Sequence, residues 1–195
     1  MPVNNSAPRV VVFDLEFTAW QGSMQSRWMR PGEFKEIVQI GAVKVDASFA
    51  PGAQFDVLVR PRLNPALSAY FVDLTGITDE AVAARGIDFA EAYRAFVGFA
   101  GPLPIVAFGR DDLVFADNLR LYGLNGVPPL PRFVDVRDWL MALGVDPRGK
   151  HACDIGPAAG VPFEGHTHNA LHDALSVAAG IRAFVTRGAQ PPLPP

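Results

Sequence analysis

Val10-Val11-Val12-Phe13-Asp14-Leu15-Glu16-Phe17-Thr18 is the stretch on which the reading of the whole chain turns. Its β-branched and aromatic residues describe a buried strand, apolar until Asp14 interrupts it. Glu16 follows two positions later, and residues i and i+2 of a strand point to the same face. Two carboxylates therefore leave one face of a core strand side by side. Burying an unpaired carboxylate is costly, and a neighbouring like charge adds to the cost. Protons or a cation would neutralise the pair, and a hard divalent cation prefers such oxygen ligands. The alternative is a strand end that runs into solvent with both acids hydrated.

Bulk properties narrow the class. The chain has 195 residues, enough for one domain with a large core, and is 49% hydrophobic and 19% charged, as ordinary globular proteins are. A formal net charge of -3 and a pI near 5.8 speak against a generally basic, nucleic-acid-gripping surface. A polyanionic substrate would have to be held locally, by metals or a few arginines. The single cysteine, Cys153, excludes an internal disulfide and suits a reducing compartment. Met1–Ser6 lacks the plan of a signal peptide, and no apolar run approaches the ~18 residues of a membrane span. The expectation is a soluble, cytoplasmic protein.

Outward from the first strand, residues 19–34 read as a long loop beside the acidic pair, the kind of segment that often serves as a lid or binding loop. Residues 36–46 read as a second strand, Pro51-Gly52 as a turn and residues 55–59 as a third strand, together an antiparallel meander. A short helix is expected from Asn64 to about Asp73, and another after Thr78 as N-cap. A longer amphipathic helix follows over about 88–99, with Phe89, Ala92, Tyr93, Phe96 and Phe99 at helical spacing. Residues 104–108 form a fourth strand, broken by Gly109. Helices are expected over 111–122 and 136–143, with a short fifth strand at Phe133-Val134 between them. A helical piece spans 152–159 and a last helix about 169–184. A meander followed by alternating helices and strands predicts an α/β fold, a mixed five-stranded sheet with helices on both faces. Residues 1–187 are expected to form a single domain, and 188–195 a Pro-rich tail, disordered or extended.

Further acids stand at the ends of elements. Asp111-Asp112 lies where the fourth strand hands over to a helix; Asp111 is well placed as a helix-terminus residue and Asp112 to point inward. In His166-Thr167-His168-Asn169-Ala170-Leu171-His172-Asp173, Asp173 lies early in an apolar helix and His168 at its start. His168 and His172 have the i, i+4 spacing of a zinc pair, but lack the adjacent Glu of a zinc-peptidase helix and any cysteine cluster. Polar surface at a helix start suits His166 and His172. A histidine titrating near neutral pH suits catalysis at His168.

In these residues the chain resembles the DEDDh branch of the DnaQ-like 3'→5' exonucleases. The resemblance rests on Asp-x-Glu in the first strand, an Asp after a strand-Gly turn, and His168 five residues before Asp173. It is similar in particular to the Eri-type and KapD-like members, through Glu36-Ile37-Val38-Gln39-Ile40-Gly41-Ala42, Leu74-Thr75-Gly76-Ile77-Thr78 and His168-Asn169-Ala170-Leu171-His172-Asp173-Ala174. It implies a ribonuclease-H-like fold, with metal ligands Asp14, Glu16, Asp112 and Asp173 and His168 as general base. Asp112, followed by Leu113, fits the family register; a slip of one residue would make Asp111 the ligand.

Phosphodiester hydrolysis by this set would use two Mg²⁺ or Mn²⁺ ions about 3.5–4 Å apart, balanced by four carboxylates. The implied reaction is 3'→5' exonucleolysis of single-stranded RNA or DNA, releasing nucleoside 5'-monophosphates. Phe17 and Thr18 are placed to meet the terminal nucleotide, with Leu74 or Ile77 as a wedge by family resemblance. Phe17, Trp20, Trp28 and Phe108 are candidates for base stacking, although Phe108 fits the core equally well. Arg27, Arg30 and Lys35 are candidates for phosphate contacts. Two other readings share the site: a non-catalytic nucleic-acid or protein interaction module, and a phosphodiesterase for small nucleotides. The choice between RNA and DNA, the oligomeric state and any protein partner have no signature in the sequence.

Overall fold

In a computed structural model that describes residues 7–193, the strand that opens the chain becomes the centre of the sheet. The strands are β1 (Val10–Phe17), β2 (Ile37–Val45), β3 (Pro51–Leu58), β4 (Ile105–Ala107) and β5 (Phe133–Asp135). They form one five-stranded sheet in the order β3-β2-β1-β4-β5. The meander β1–β2–β3 is antiparallel, while β4 and β5 run parallel to β1. The helices are α1 (Ser23–Ser26), α2 (Ala69–Thr75), α3 (Asp79–Arg85), α4 (Phe89–Ala100), α5 (Asp111–Leu121), α6 (Arg137–Ala142), α7 (Ile155–Ala158) and α8 (Ala170–Thr186), with a 3₁₀ turn at Ala152–Asp154.

The expected architecture holds because β1 is covered on both sides. Its odd positions Val11, Phe13 and Leu15 join Phe96, Tyr93 and Phe115 of α4 and α5 in one core. Its even positions Val10 and Val12 join Ala174, Val177 and Ile181 of α8 in the other. Strict alternation then carries Asp14 and Glu16 along the α8-facing row. A third cluster, Val38, Leu58, Leu67, Phe71, Ile77 and Val82, packs α2 and α3 at the other side of β2. No helix among the described residues is long and apolar enough to cross a membrane.

Three boundaries differ from the sequence reading. The turn expected at Pro51-Gly52 lies earlier, because Asp46 Oδ1 accepts from the Ser48 and Ala50 amides at 2.8 and 3.0 Å and closes the chain there; Pro51 already pairs with Val45 in β3. The helix expected from Asn64 starts at Ala69, because Ser68 is the residue whose hydroxyl caps the Phe71 amide, at 3.0 Å. The tail is docked as far as Leu193: Trp139 Nε1 donates to the Gln190 carbonyl at 2.8 Å, and Leu193 packs on the α8 core. Residues 194–195 lie outside the described residues. The long loop 19–34 carries the single-turn helix α1.

Two buried polar residues tie the junction of the loop and β2 to the segment after β3 and to α5. Glu36, fully buried, accepts the amides of Arg62, Leu63 and Asn64 at 2.6, 2.8 and 2.6 Å and the Tyr122 hydroxyl at 2.5 Å. Asn118 of α5 accepts the Ile37 amide and donates to the Lys35 carbonyl, both at 2.9 Å. Paired in this way, neither leaves a buried group without a partner, the condition under which polar burial is tolerated.

Candidate active site

Each acid of the site is delivered by a different physical device. Asp14 and Glu16 arrive by strand alternation and are 9% and 8% exposed. Asp173 arrives with α8, whose first turn lies directly on β2. There Gln39 Oε1 accepts the Ala170 amide at 3.0 Å, Asn169 Oδ1 caps the His172 amide, and Gly41 leaves the room that a side chain would take. A Cβ at Gly41 would stand 2.0 Å from the Leu171 nitrogen and 2.2 Å from the Ala170 carbonyl carbon. Gly41 is also the register partner of Asp14, so this close approach sets the spacing between Asp14 and α8.

The fourth acid comes from the start of α5. Gly109, at φ 129°, turns the chain after β4 in a conformation open to glycine. The two aspartates that follow separate. Asp111 turns into the cavity with Asp14, Glu16 and Asp173. Asp112, which the family register favoured, turns away and is held in a fork by Arg110, Nε to Oδ1 at 2.8 Å and Nη2 to Oδ2 at 2.7 Å; it does not line the cavity. The reason is helical geometry: adjacent residues on a helix point about 100° apart, so only one can face the sheet.

His168 precedes α8 in a left-handed conformation, φ 57°, and is half-buried. Single ligand atoms of Glu16, His168 and Asp173 all lie within 4.8 Å of one another. The cavity they share is about 680 Å³, within the range typical of small-molecule sites.

The electrostatics show a site short of positive charge. Burial, then the neighbouring Asp111, Glu16 and Asp173, holds the Asp14 carboxyl well above the usual range. Burial, then Asp173 and Asp111, does the same to Glu16. Asp173 is pushed up to about 7, mainly by burial. Asp111 is also pushed to about 7 by burial, against the pull of Lys35. Asp173 Oδ1 is buried with no hydrogen-bond partner. An orphaned carboxylate oxygen beside three more acids and an imidazole fits an oxygen-seeking divalent cation. Burial and the nearby His151 lower the His168 pKa, which favours the neutral, proton-accepting ring.

The other candidates divide. Phe17, Leu74 and Phe108 line the cavity, as do Trp20 and Trp28. Thr18 and Ile77, expected to meet substrate, do not line it. Thr18 is 2% exposed; its hydroxyl donates to the Phe34 carbonyl at 2.5 Å and accepts the Glu36 amide at 3.0 Å, so it braces the loop. Ile77 is 6% exposed in the α2–α3 core. His172 accepts the His166 amide at 3.0 Å through Nδ1 and so stiffens the turn before α8. Arg137, Lys150 and His151 also line the cavity, with the His151 ring 5.1 Å from that of His168. Sequence reasoning missed these three, since no periodicity or motif ties residues 137 and 150–151 to β1.

A profile of the Exonuclease (RNase_T) family matches residues 11–179. The chain belongs to the exonuclease family. No curated protein matches its sequence. Among solved structures it is similar to the nuclease domain of 3'hExo, a DEDDh family member bound to rAMP, with 21% identity over 92% of both chains and a TM-score of 0.76. It is also similar to S. pombe Pop2p in its Mg²⁺- and Mn²⁺-bound form, with 17% identity over 93% of this chain and 84% of that one, TM-score 0.68. E. coli Exonuclease I in complex with a dA16 oligonucleotide matches at 17% identity and TM-score 0.67, over 93% of this chain and 42% of that one.

The cluster of buried acids in this exonuclease-family chain has a measurable consequence without substrate. A carboxyl whose folded pKa is raised takes up its proton in the folded state first, so folding is favoured below that pKa and penalised above it. Metal-free protein should therefore gain stability as pH falls from 8 towards 5, opposed by His168, whose lowered pKa works the other way. Each pKa unit is worth 1.36 kcal/mol, so Asp173 alone, pushed to about 7, is worth roughly 2–4 kcal/mol across that window. In EDTA the melting temperature should rise by several degrees on acidification, and added Mn²⁺ should raise it more at pH 8 than at pH 5. A melting temperature in EDTA that peaks at pH 8 would contradict this.

Proposed function

We propose that the chain is a metal-dependent 3'→5' exonuclease that releases nucleoside 5'-monophosphates from single-stranded RNA or DNA. Within the family we place it in the Eri-type and KapD-like branch, on the motifs given above. The observation that carries the reading is the convergence of Asp14, Glu16, Asp111 and Asp173 on one cavity, with Asp173 Oδ1 buried and unpartnered and ligand atoms of Glu16, His168 and Asp173 within 4.8 Å of one another. That many buried carboxyls need protons or a cation to balance them, and a divalent cation does so while keeping all four ionised.

These four carboxylates are proposed to hold two Mg²⁺ or Mn²⁺ ions. When bound, such ions supply Lewis-acid stabilisation of the phosphoryl oxygens and of the attacking water. The chain's own residues do the rest. His168, neutral near pH 7, accepts the proton of the attacking water, and its left-handed perch just before α8 sets its ring beside Glu16 and Asp173. Phe17, Leu74 and Phe108 supply apolar walls for the terminal nucleoside. The half-buried Lys35, which lines the cavity and acts on Asp111, is the cation offered to the scissile phosphate.

Purified protein with Mn²⁺ or Mg²⁺ should shorten a 5'-labelled single strand stepwise from its 3' end, and Asp14→Ala should not. An intact strand under both metals would end the proposal. His168→Ala should lower kcat by about 10²–10⁴-fold, the usual worth of a general base. It should also remove the rise of kcat/KM with pH below neutrality; unchanged turnover would remove His168 from the mechanism. The low pI and lack of a basic stripe favour the non-catalytic module instead, and absence of Mn²⁺ binding in a titration would select it.

A further inference from the structure

A second concavity, of about 400 Å³, adjoins the acidic cavity on the far side of the loop. Trp28 and Lys35 line both, so the two cavities share a wall. The Lys35 ammonium lies 4.1 Å from the Trp28 ring centroid and 4.5 Å from that of Phe17. It feels Asp111 on one side and Asp117 on the other. Beyond it the second concavity presents Arg27, Phe34 and Arg120.

Several observations mark this wall as built. Arg27 and Trp28 are consecutive non-glycine residues in the left-handed region, at φ 54° and 55°. Such strain persists only where the surroundings enforce it, and it gathers at functional segments. The enforcing contacts are present: the Trp28 indole donates to the Thr18 carbonyl at 2.7 Å, and its amide to the Ser23 carbonyl at 3.1 Å. Phe34 is locked at its amide by Asn64, at 3.1 Å, and at its carbonyl by Thr18, yet the residue is 40% exposed and lines the concavity. An apolar ring held open to solvent on a rigid backbone is a stacking platform.

The charges are sorted to match. Arg30 is consumed by Glu33 and the Gln21 carbonyl, at 3.1 and 3.0 Å, and does not reach the concavity; Glu33, which does, is thereby neutralised. Among the described residues Arg120 is paired with Asp117, in an exposed pair at 3.0 Å that a phosphate can displace at small cost. Arg27 has no ion pair among the described residues.

We propose that this concavity is the subsite for the nucleotides immediately 5' of the scissile bond, which rests on the exonuclease reading above. The base stacks on Phe34 beside Trp28, Arg27 and Arg120 take the backbone phosphates, and Lys35 holds the phosphate that passes between the two cavities. A base stacked on Phe34 is unpaired, so the subsite selects single strands of more than one nucleotide. It also gives a chain with a net charge of -3 a local grip on a polyanion, through Arg27, Lys35 and Arg120 at one wall.

The test compares two substrates, a single-stranded hexanucleotide and the p-nitrophenyl ester of thymidine 5'-phosphate, which has no upstream nucleotide. Phe34→Ala should lower the ratio of kcat/KM for hexamer over ester about tenfold, and Phe34→Trp should restore it. Separately, Arg27→Ala and Arg120→Ala are introduced into the Asp14→Ala protein, and binding of a 5'-fluorescent hexamer is followed by anisotropy. Each should flatten the slope of log affinity against log salt by about 0.7, the value of one single-strand phosphate contact. An unchanged ratio together with an unchanged slope overturns the subsite. If wild-type protein cleaves neither substrate the exonuclease reading fails, and the salt slope alone then decides the subsite, as it does if only the ester is inert.

Discussion

Asp111→Asn is expected to lower phosphodiester hydrolysis at least about 10²-fold, on the scale of losing one preorganised charge-stabilising group, while Asp112→Asn changes it less than about threefold. The two residues are neighbours in sequence and the same chemically, so only orientation separates them. Asp111 faces Asp14, Glu16 and Asp173 in the cavity, whereas Asp112 is forked to Arg110 outside it. Exposed ion pairs contribute about 0–1 kcal/mol, so the Arg110–Asp112 pair leaves little to lose. Steady-state rates of both variants on a 5'-labelled single strand, with melting curves to show that each folds, decide between them. A greater loss at Asp112 would restore the family register and show that α5 starts with a different rotation when substrate is bound.

Gly41→Ala should destabilise the protein by about 3 kcal/mol or more, at or beyond the upper end of ordinary overpacking. The new methyl would stand 2.0 and 2.2 Å from backbone atoms of Leu171 and Ala170, and backbone cannot turn aside as a flexible side chain can. For a chain of this size that is a drop in melting temperature of roughly 6–12 °C. Because Gly41 is paired with Asp14 and α8 carries Asp173, the strain is relieved only by lifting α8 from β2, which widens the acidic cluster. Activity should therefore fall even at temperatures where the variant is fully folded, and Mn²⁺ should raise its melting temperature less than that of wild type. A variant with wild-type stability would mean that α8 does not sit on β2 as closely as described.

How the two aspartates and the glycine read in the sequence shows where local pattern stops. Strand alternation is a property of the backbone, so Val10 to Phe17 already placed Asp14 and Glu16 on one face. Helical spacing and caps placed α3 after Thr78 and α4 after Asp88 with little error, because a cap is made within four residues. The turn after β2 was misplaced because its organiser is a side chain, Asp46, rather than the Pro-Gly that follows it. Thr18 looked like a site residue because it follows Phe17, and Ile77 by family resemblance, but Thr18 bonds back to the loop and Ile77 packs into the α2–α3 core. Adjacent side chains of an extended segment point apart, so the position of Phe17 did not fix that of Thr18.

The sequence by itself determined the sheet's central strand, the covering helices, two acids on one face, and a His and an Asp at the start of the last helix. All of these follow from periods and caps of a few residues. The tertiary structure alone decided which mid-chain aspartate enters the cavity, that His151, Lys150 and Arg137 join it, and that Lys35 and Trp28 stand between two cavities. Those outcomes depend on the rotation of α5 about its own axis and on the seating of α8 against Gly41. They are set by packing between segments 81 to 131 residues apart, and no local pattern encodes them.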